Sequence, residues 1–202
     1  MKEYRDHYFL KAKQENFPAR SVYKLKELDA KFKLLKTGIK VLDLGASPGS
    51  WTLWAAQKVG SQGLVLACDL NPLKIDLPSQ VSFYQTNVFE QSEEFVAKLH
   101  ELAPFDLVLS DMAPQTIGHK FTDQIRSLEL ATQAFEVAQT TLKVGGHFVV
   151  KIFMGGQAND LLVTLRKNFQ KVKPFKPQSS RSESKETFFT ALSFRGQQEP
   201  EA

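Results

Sequence analysis

The amino-acid sequence predicts an α/β fold, in which a seven-stranded, mostly parallel sheet with one antiparallel edge strand carries helices on both faces. Two observations predict it. From residue 39 onward, short apolar runs alternate with amphipathic stretches of helical length, and parallel strands need crossover connections of that kind. The last two apolar runs are joined by a polar loop at 176–186 that leaves no room for a crossover helix, so we expect an antiparallel hairpin at one edge.

The individual elements follow from hydrophobic periodicity and from the turn residues between them. Two helices are expected first, at 4–16 and 20–34, the second because Leu25, Leu28 and Phe32 recur at three- and four-residue steps. The expected strands are 39–44, 64–68, 81–84, 105–109, 147–153, 172–175 and 187–194. The expected helices between them are 50–59, 91–102, 123–143 and 157–169.

Length and composition are those of a globular protein with one domain. At 202 residues, with 42% hydrophobic and 24% charged residues, the chain can bury a core without disulfides or metals. Cys68 is the only cysteine, no signal peptide follows Met1, and no apolar run approaches the roughly 20 residues of a membrane-spanning helix. We therefore expect a cytoplasmic monomer with no metal, no membrane contact and no obligate protein partner. Its expected parts are a basic helical extension at 1–36, a core at 37–195 and a tail at 196–202.

Charge is distributed unevenly along the chain. Residues 1–40 carry 11 Lys/Arg against 5 Asp/Glu, and residues 166–186 carry 7 against 2. The middle segment, 41–165, carries 7 against 13. Two basic segments around an acidic centre are typical of a surface that binds the phosphates of a polyanion beside a differently charged reaction site. A solvated, lysine-rich surface is the alternative.

A glycine turn follows the first expected strand, in VLDLGASPGSW at 41–51. Gly45 and Gly49 allow backbone angles and close approaches that a side chain would prevent, at the edge where open α/β sheets bind ligands. The spacing is not Gly-x-Gly-x-x-Gly, which disfavours a dinucleotide, and Asp69 at the end of the second strand is placed to accept hydrogen bonds from a ribose. The pattern favours a nucleoside cofactor without a pyrophosphate, such as S-adenosylmethionine. The alternative is an ordinary strand-to-helix turn.

Three further segments place polar groups where a purely structural role would not require them. An apolar strand ends in Asp111 within LVLSDMAP at 107–114, and Lys151 interrupts the apolar run FVVKIF at 148–153. Burying an ammonium is costly unless it is paired, so Lys151 is either a functional group or the solvent-facing lysine of an edge strand. The loop KPQSSRSESKETF at 176–188 is polar and basic, as a solvent loop also can be.

These segments, in this order, resemble the FtsJ (RrmJ) family of ribose 2′-O-methyltransferases from about residue 18 to residue 194. The resemblance rests on ARSVYKL at 19–25, DLGASPGSW at 43–51, SDMAP at 110–114, VVKIF at 149–153 and SSR at 179–181 followed by Glu186. Each string alone is weak or moderately specific, whereas the ordered set is highly specific. The expected sheet is that of the Rossmann-like fold of S-adenosylmethionine-dependent methyltransferases.

The resemblance implies an enzyme that transfers a methyl group from S-adenosylmethionine to a ribose 2′-hydroxyl of RNA, most simply a uridine in the 23S RNA of the large ribosomal subunit. The catalytic residues it implies are Lys24, Asp111, Lys151 and Glu186. The cofactor-binding residues it implies are Gly45, Ser47, Pro48, Gly49, Ser50, Trp51, Asp69, Leu70, Asn87, Val88 and Asp111. Asn87 stands where the family usually has an aspartate, so its contact to adenine would be uncharged. The basic residues expected to contact RNA phosphates are Arg20, Lys26, Lys31, Lys33, Lys173, Lys176 and Arg181.

We expect Lys151 to act as the general base or as the cation that stabilises the developing alkoxide, and the sequence leaves that choice open. Lys24 would lie nearby, and Asp111 and Glu186 would orient the two ammonium groups. Three alternatives compete with this function: the same reaction on tRNA or an mRNA cap, a small-molecule methyltransferase, and a catalytically inert RNA-binding factor of ribosome assembly. Two basic flanks disfavour the small-molecule enzyme, and a lysine inside a strand disfavours the inert factor.

Overall fold

The computed structural model describes residues 3–181 and 184–196, and within these ranges seven strands form one sheet. The strands are β1 Lys40–Leu44, β2 Leu64–Asp69, β3 Val81–Gln85, β4 Phe105–Ser110, β5 Leu142–Phe153, β6 Phe169–Phe175 and β7 Glu186–Phe194. The helices are α1 Glu3–Gln14, α2 Val22–Phe32, α3 Ser50–Val59, α4 Glu93–Leu102, α5 Lys120–Thr141 and α6 Ala158–Asn168. Apart from Gly196, the expected tail lies outside the described residues.

The strand order is β3-β2-β1-β4-β5-β7-β6. β1 to β5 pair in parallel, whereas β7 runs antiparallel to both of its neighbours, β5 and β6. The expected α/β fold, with a mostly parallel sheet and one antiparallel strand, is confirmed. β7 lies one place inside the edge, and its hairpin partner β6 forms the edge itself. β5 and β6 begin earlier than expected because each follows directly on the preceding helix.

The strand order reverses between β1 and β4, which is where open α/β sheets bind ligands beyond the carboxyl ends of the strands. Ser110, the last residue of β4, lies opposite Leu44 of β1 and Val150 of β5. The next residues along β4 and β5 are Asp111 and Lys151. Strand pairing alone therefore makes these two side chains neighbours at the ligand-binding edge.

The alternation of side chains along β5 decides which helices Lys151 faces. Its neighbours on the same face, Val149 along the strand and Phe188 across it, pack in a core with α2 and α3. Val150 points the other way, into the core formed with α4, α5 and α6. Because β5 is covered on both faces and paired on both sides, Lys151 does not lie on an edge strand.

The two N-terminal helices are packed onto α3. α2 buries Leu25 and Leu28, which belong to the expected apolar stripe, and Phe32 is partly buried. Tyr23 joins residues of α1 in a small third core that also contacts Trp54 of α3. This packing holds the basic N-terminal segment on the face of the sheet that carries Lys151. No helix in the part of the chain described is both long and apolar enough to cross a membrane.

Candidate active site

Lys151 and Asp111 form the first of two charged pairs at the carboxyl edge of the sheet. Lys151 Nζ donates to Asp111 Oδ1 at 2.9 Å and also donates to the backbone carbonyl of Asp111. Lys151 is only 7% exposed, so these acceptors replace the water that the ammonium has lost. The alternative of a solvent-facing lysine is wrong. An ammonium has three N–H donors, so one of them is left for a further group.

Lys24 of α2 and Glu186 of β7 form the second pair, with Nζ and Oε1 2.6 Å apart. Burial by itself would raise the pKa of Glu186, but Lys24, the Ser180 hydroxyl and the charge of Lys151 together hold that pKa below its ordinary value. Lys151 is therefore close enough to act electrostatically on the second pair. The structure brings together the four residues implied as catalytic, from four separate parts of the chain.

The turn after β1 is approached closely by two neighbouring segments. Gly45 and Gly49 have φ angles of +83° and +109°, in the left-handed region. A Cβ atom on Gly45 would lie 2.5 Å from Met112 Cγ, and one on Gly49 would lie 2.2 Å from Ile75 Cδ1. Both positions therefore favour glycine for their backbone conformation, and at Gly45 the backbone of Met112, 3.1 Å from the added Cβ, also leaves little space for a side chain.

Asp69, at the end of β2, is tied to this turn. Its Oδ2 accepts a hydrogen bond from the backbone N–H of Ser47 at 2.9 Å, and its Oδ1 accepts from that of Asn71 at 2.7 Å. An ionised carboxylate can accept about four hydrogen bonds, so Asp69 is oriented by the backbone and keeps capacity for a ligand. Pro48 and Leu70 are exposed next to it.

Asn87 and Val88 follow β3 at the same edge of the sheet. The Asn87 side-chain oxygen accepts from the backbone N–H of Phe89 at 3.0 Å, the local bond that asparagine often makes in turns. An amide oxygen can accept two hydrogen bonds, so this bond orients Asn87 and leaves one acceptor position for the expected contact from adenine. Val88 is buried in the core, so its side chain is largely unavailable to a ligand.

The side chains of Ser50 and Trp51 bind the N-terminal segment. Ser50 Oγ accepts from the backbone N–H of Ala19 at 2.8 Å and donates to its carbonyl at 3.0 Å, and Trp51 Nε1 donates to the carbonyl of Ser21 at 2.9 Å. Both side chains are buried. Only the backbone groups of Ser50 and Trp51 are therefore available to a cofactor. Their side chains connect the glycine turn to the segment that carries Lys24.

Asp43, in the middle of the β1 motif, is fully buried. Burial raises its pKa to about 7, a hydrogen bond from Thr52 opposes the rise, and the nearby charges of Asp111 and Asp69 add to it. Thr52 Oγ1 donates to Asp43 Oδ2 at 2.7 Å, while Oδ1 has no hydrogen-bond partner among the residues described. Three carboxyl groups thus converge behind the glycine turn.

A pocket of about 330 Å³ opens between the start of α2 and the loop before β7. Residues that line it include Arg20, Lys24, Ser179, Arg181, Ser184 and Glu186. Three of these are cationic and one is anionic, so the pocket is positively charged and adjoins the Lys24–Glu186 pair. Arg20 Nη2 donates to the carbonyl of Ser179 at 2.7 Å, and Arg181 is exposed at the rim.

Most of the lysines expected to contact RNA are accessible. Lys33 and Lys173 are exposed, and so is Lys176, whose Nζ donates to a backbone carbonyl of the same loop. Lys31 is exposed as well, with its Nζ 4.5 Å from the ring centre of Phe175. These four side chains can reach phosphates without breaking an ion pair that the structure shows.

Lys26 is different, because its ammonium is held within the protein. It forms an ion pair with Glu15 and lies 4.6 Å from the ring centres of both Phe17 and Trp54. These contacts hold the end of α1 against α2 and α3. They compete with the expected contact between Lys26 and a phosphate, since a phosphate would have to displace Glu15.

Glu27 was missed by the sequence reasoning. Its carboxylate accepts hydrogen bonds from the backbone N–H groups of Gln178 at 2.6 Å and Ser179 at 2.9 Å, in the loop that lines the pocket. The spacing could have pointed to it: Arg20, Lys24 and Glu27 are four and three residues apart, which places them on one face of the helix expected at 20–34.

Comparisons with known proteins agree with this geometry. The model of the FtsJ-like methyltransferase family matches residues 17–194. A protein of Nitratidesulfovibrio vulgaris (strain DP4) named ribosomal RNA large subunit methyltransferase E is 62% identical over 196 residues, which are 97% of this chain and 96% of that protein. The protein of the same name from Lawsonia intracellularis is 53% identical, over 96% of this chain and 98% of that protein.

A crystal structure from Plasmodium falciparum, provisionally described as a ribosomal RNA methyltransferase, matches with a TM-score of 0.78 and 30% identity. The match covers 90% of this chain and 100% of that one. The resemblance drawn from the sequence motifs is confirmed over nearly the whole length. This chain belongs to the FtsJ-like methyltransferase family.

Proposed function

We propose that this protein transfers a methyl group from S-adenosylmethionine to a ribose 2′-hydroxyl, that of a uridine, in the 23S RNA of the large ribosomal subunit. The observation that carries the proposal is the convergence of two amines and two carboxylates, Lys24, Asp111, Lys151 and Glu186, beside the glycine turn. Membership of the family supports methyl transfer, and the names of the curated relatives support large-subunit RNA as the substrate.

The residues around the turn suit a cationic cofactor. S-adenosylmethionine carries a sulfonium and an ammonium, and the charges of Asp69 and Asp111 lie close enough to act on the buried Asp43. These charges give the site a negative potential. When bound, the cofactor supplies an already activated methyl group. We assign its ribose to Asp69 and its amino-acid part to the backbone of 45–51 together with Asp111.

The adenine would lie between the exposed side chain of Leu70 and the segment after β3. There the Asn87 amide is the polar group available, and the backbone of Val88 is next to it. Ser47 and Pro48 form the open side of the turn, whereas Ser50 and Trp51 contribute backbone only, because their side chains are bound to residues 19 and 21.

Lys151 is the residue that acts on the attacking hydroxyl. Its Nζ is fixed by two hydrogen bonds to Asp111, which leaves its remaining position for the 2′-oxygen. At that position Lys151 takes up the proton or stabilises the developing alkoxide with its charge. Asp111 orients Lys151, and the Lys24–Glu186 pair closes the site on the side of α2. Since the displacement is in-line, fixed positions of these groups supply a large part of the rate acceleration.

The RNA would be held by the positive pocket and the basic residues around it. Arg20 and Arg181 line the pocket next to Lys24, and we assign them to phosphates near the target ribose. The residues assigned to more distant phosphates are the exposed Lys31, Lys33, Lys173 and Lys176. Neutralised phosphates release counterions, so RNA affinity should fall steeply with salt.

All four proposed catalytic residues come from one chain, so a monomer is sufficient for the reaction. In this proposal, residues 1–36 are an extension that positions Lys24 against a core formed by 37–195. Ribosomal RNA as substrate would place the protein in the cytoplasm.

Incubation with tritiated S-adenosylmethionine and large ribosomal subunits that lack the modification tests the proposal. Wild-type protein should label the RNA, and Lys151→Ala should not, while the variant still binds the cofactor by calorimetry. Lys143→Ala is the matched control, because Lys143 also forms an ion pair, with Asp106, at the opposite end of β5. Asp111→Ala should be severe and Glu186→Ala milder. Labelling of tRNA in place of ribosomal RNA, or wild-type turnover by Lys151→Ala, would contradict the proposal.

A further inference from the structure

One face of the N-terminal helical segment holds the loop before β7 at three points. Arg20 donates to the carbonyl of Ser179, Lys24 pairs with Glu186, and Glu27 accepts from the backbone N–H groups of two consecutive residues, 178 and 179. Lys24 and Glu27 are three residues apart on one face of α2, and Arg20 lies in the turn just before that helix. The side chain of Ser179 is turned inward and 1% exposed. The loop is therefore shaped by α2 and not by its own sequence alone.

Glu27 makes two of these contacts, both of them hydrogen bonds from backbone N–H groups. Its two oxygens accept from N–H groups 2.6 Å and 2.9 Å away, and a charged acceptor makes stronger hydrogen bonds than a neutral one. Just beyond, the N–H of Ser180 bonds the carbonyl of Pro177, which closes a tight turn over 177–180. Without Glu27, two backbone donors lose their acceptor, and the turn loses these two bonds to α2 while it keeps the hydrogen bond from Arg20.

One residue of the proposed site follows directly on this turn. Arg181 comes after the buried Ser180 and is exposed at the rim of the positive pocket. We propose that Glu27 is a positioning residue for RNA binding, which fixes the turn over 177–180 so that Arg181 meets a phosphate of the substrate. The proposal rests on RNA being the substrate, and Glu27 itself touches no RNA.

The sign of the expected effect separates this role from simple electrostatics. Glu27 is an acidic residue next to a positive pocket, so its charge by itself repels a polyanion. If charge were its whole influence, neutralising it would tighten RNA binding. If it positions Arg181, removing it weakens RNA binding although the protein becomes more positive.

Two variants of Glu27 that remove the same negative charge test whether the residue positions Arg181. Glu27→Ala removes both acceptor oxygens, whereas Glu27→Gln keeps one. Binding to unmodified 23S RNA would be measured by filter retention at several salt concentrations, with thermal unfolding recorded for each variant. Glu129→Ala, at an exposed acidic residue of α5, is the control. We expect Glu27→Ala to bind several-fold more weakly, with a salt slope reduced by up to about 0.9, the share of one phosphate contact. Glu27→Gln should retain more of the affinity.

A double-mutant cycle with Arg181 identifies the residue through which Glu27 acts. In the background of Arg181→Ala, the further change Glu27→Ala should not weaken RNA binding any more, because the contact that Glu27 positions is already absent. Equal or tighter binding by Glu27→Ala, or additive losses in the cycle, would overturn the proposal. These measurements need no methyl transfer, so failure of the transfer assay with wild-type protein would count against the proposed function and leave the Glu27 result intact.

Discussion

Replacing Asp43 with asparagine should flatten the dependence of protein stability on pH. Asp43 is fully buried, and burial raises its pKa to about 7, against roughly 3.9 for an aspartate in an unfolded chain. A difference of about three units corresponds to about 4 kcal/mol. The folded protein holds the proton more tightly than the unfolded chain does. The contribution of Asp43 to the free energy of unfolding therefore falls as pH rises from about 4 to about 7.

Asparagine at position 43 cannot ionise, so the variant lacks this fall. At low pH it should be the less stable protein by about 1–3 kcal/mol, because a buried amide has two N–H donors, against the single O–H of the protonated carboxyl group, at a place where Oδ1 has no partner among the residues described. Above pH 7 the loss in wild type outweighs that cost, and the order reverses. Between pH 5 and pH 8 the difference in unfolding free energy between the two proteins should change by about 3 kcal/mol.

Urea unfolding of both proteins, without cofactor, at half-unit steps from pH 5 to pH 8 measures this difference. Glu129→Gln, which neutralises an exposed carboxyl group, is the control. Parallel stability curves for Asp43→Asn and wild type would refute the reasoning, because they would mean that the buried carboxyl group has the same proton affinity in the folded and unfolded states.

Two further predictions concern residues whose roles the structure redefines. Ser50→Ala removes both hydrogen bonds to Ala19 and should lower the free energy of unfolding by about 1–3 kcal/mol in urea titrations. The methyl-transfer activity of this variant should also fall, because Ala19 leads into the segment that carries Lys24. Lys26→Ala should destabilise the protein by loss of the Glu15 pair and leave the salt slope of RNA binding unchanged, whereas Lys173→Ala should lower that slope by about one and leave stability unchanged.

The fold could be predicted from local pattern. Apolar runs and glycine or proline breaks located the strands and helices, because the helices bury one periodic face and the central strands are buried on both faces as continuous apolar runs. The place of β7 could not be predicted in the same way, because its position between β5 and β6 depends on pairing between distant segments. The start of β5 was also missed: Leu142 pairs with Phe105 before an irregularity in the ladder, and no apolar alternation marks that stretch.

Residues of the candidate site could be predicted from the sequence only where the residue type is unusual for its sequence neighbours. Lys151 stood out because an ammonium within an apolar run needs a partner, and the structure supplies Asp111. Lys26 had no such feature, since its engagement with Glu15 depends on how α1 packs. Glu27 was hidden for the same reason, because its partners are backbone groups about 150 residues further along the chain.

The chemical position of the transferred methyl group separates ribose methylation by Lys151 from methylation of a base. Large-subunit RNA labelled from tritiated S-adenosylmethionine would be hydrolysed in alkali, in which each strand break requires a free 2′-hydroxyl. We expect the label to stay in an alkali-resistant dinucleotide, and the Lys151→Ala variant to yield none. Label recovered in ordinary mononucleotides would place the methyl group on a base and rule out transfer to the 2′-hydroxyl.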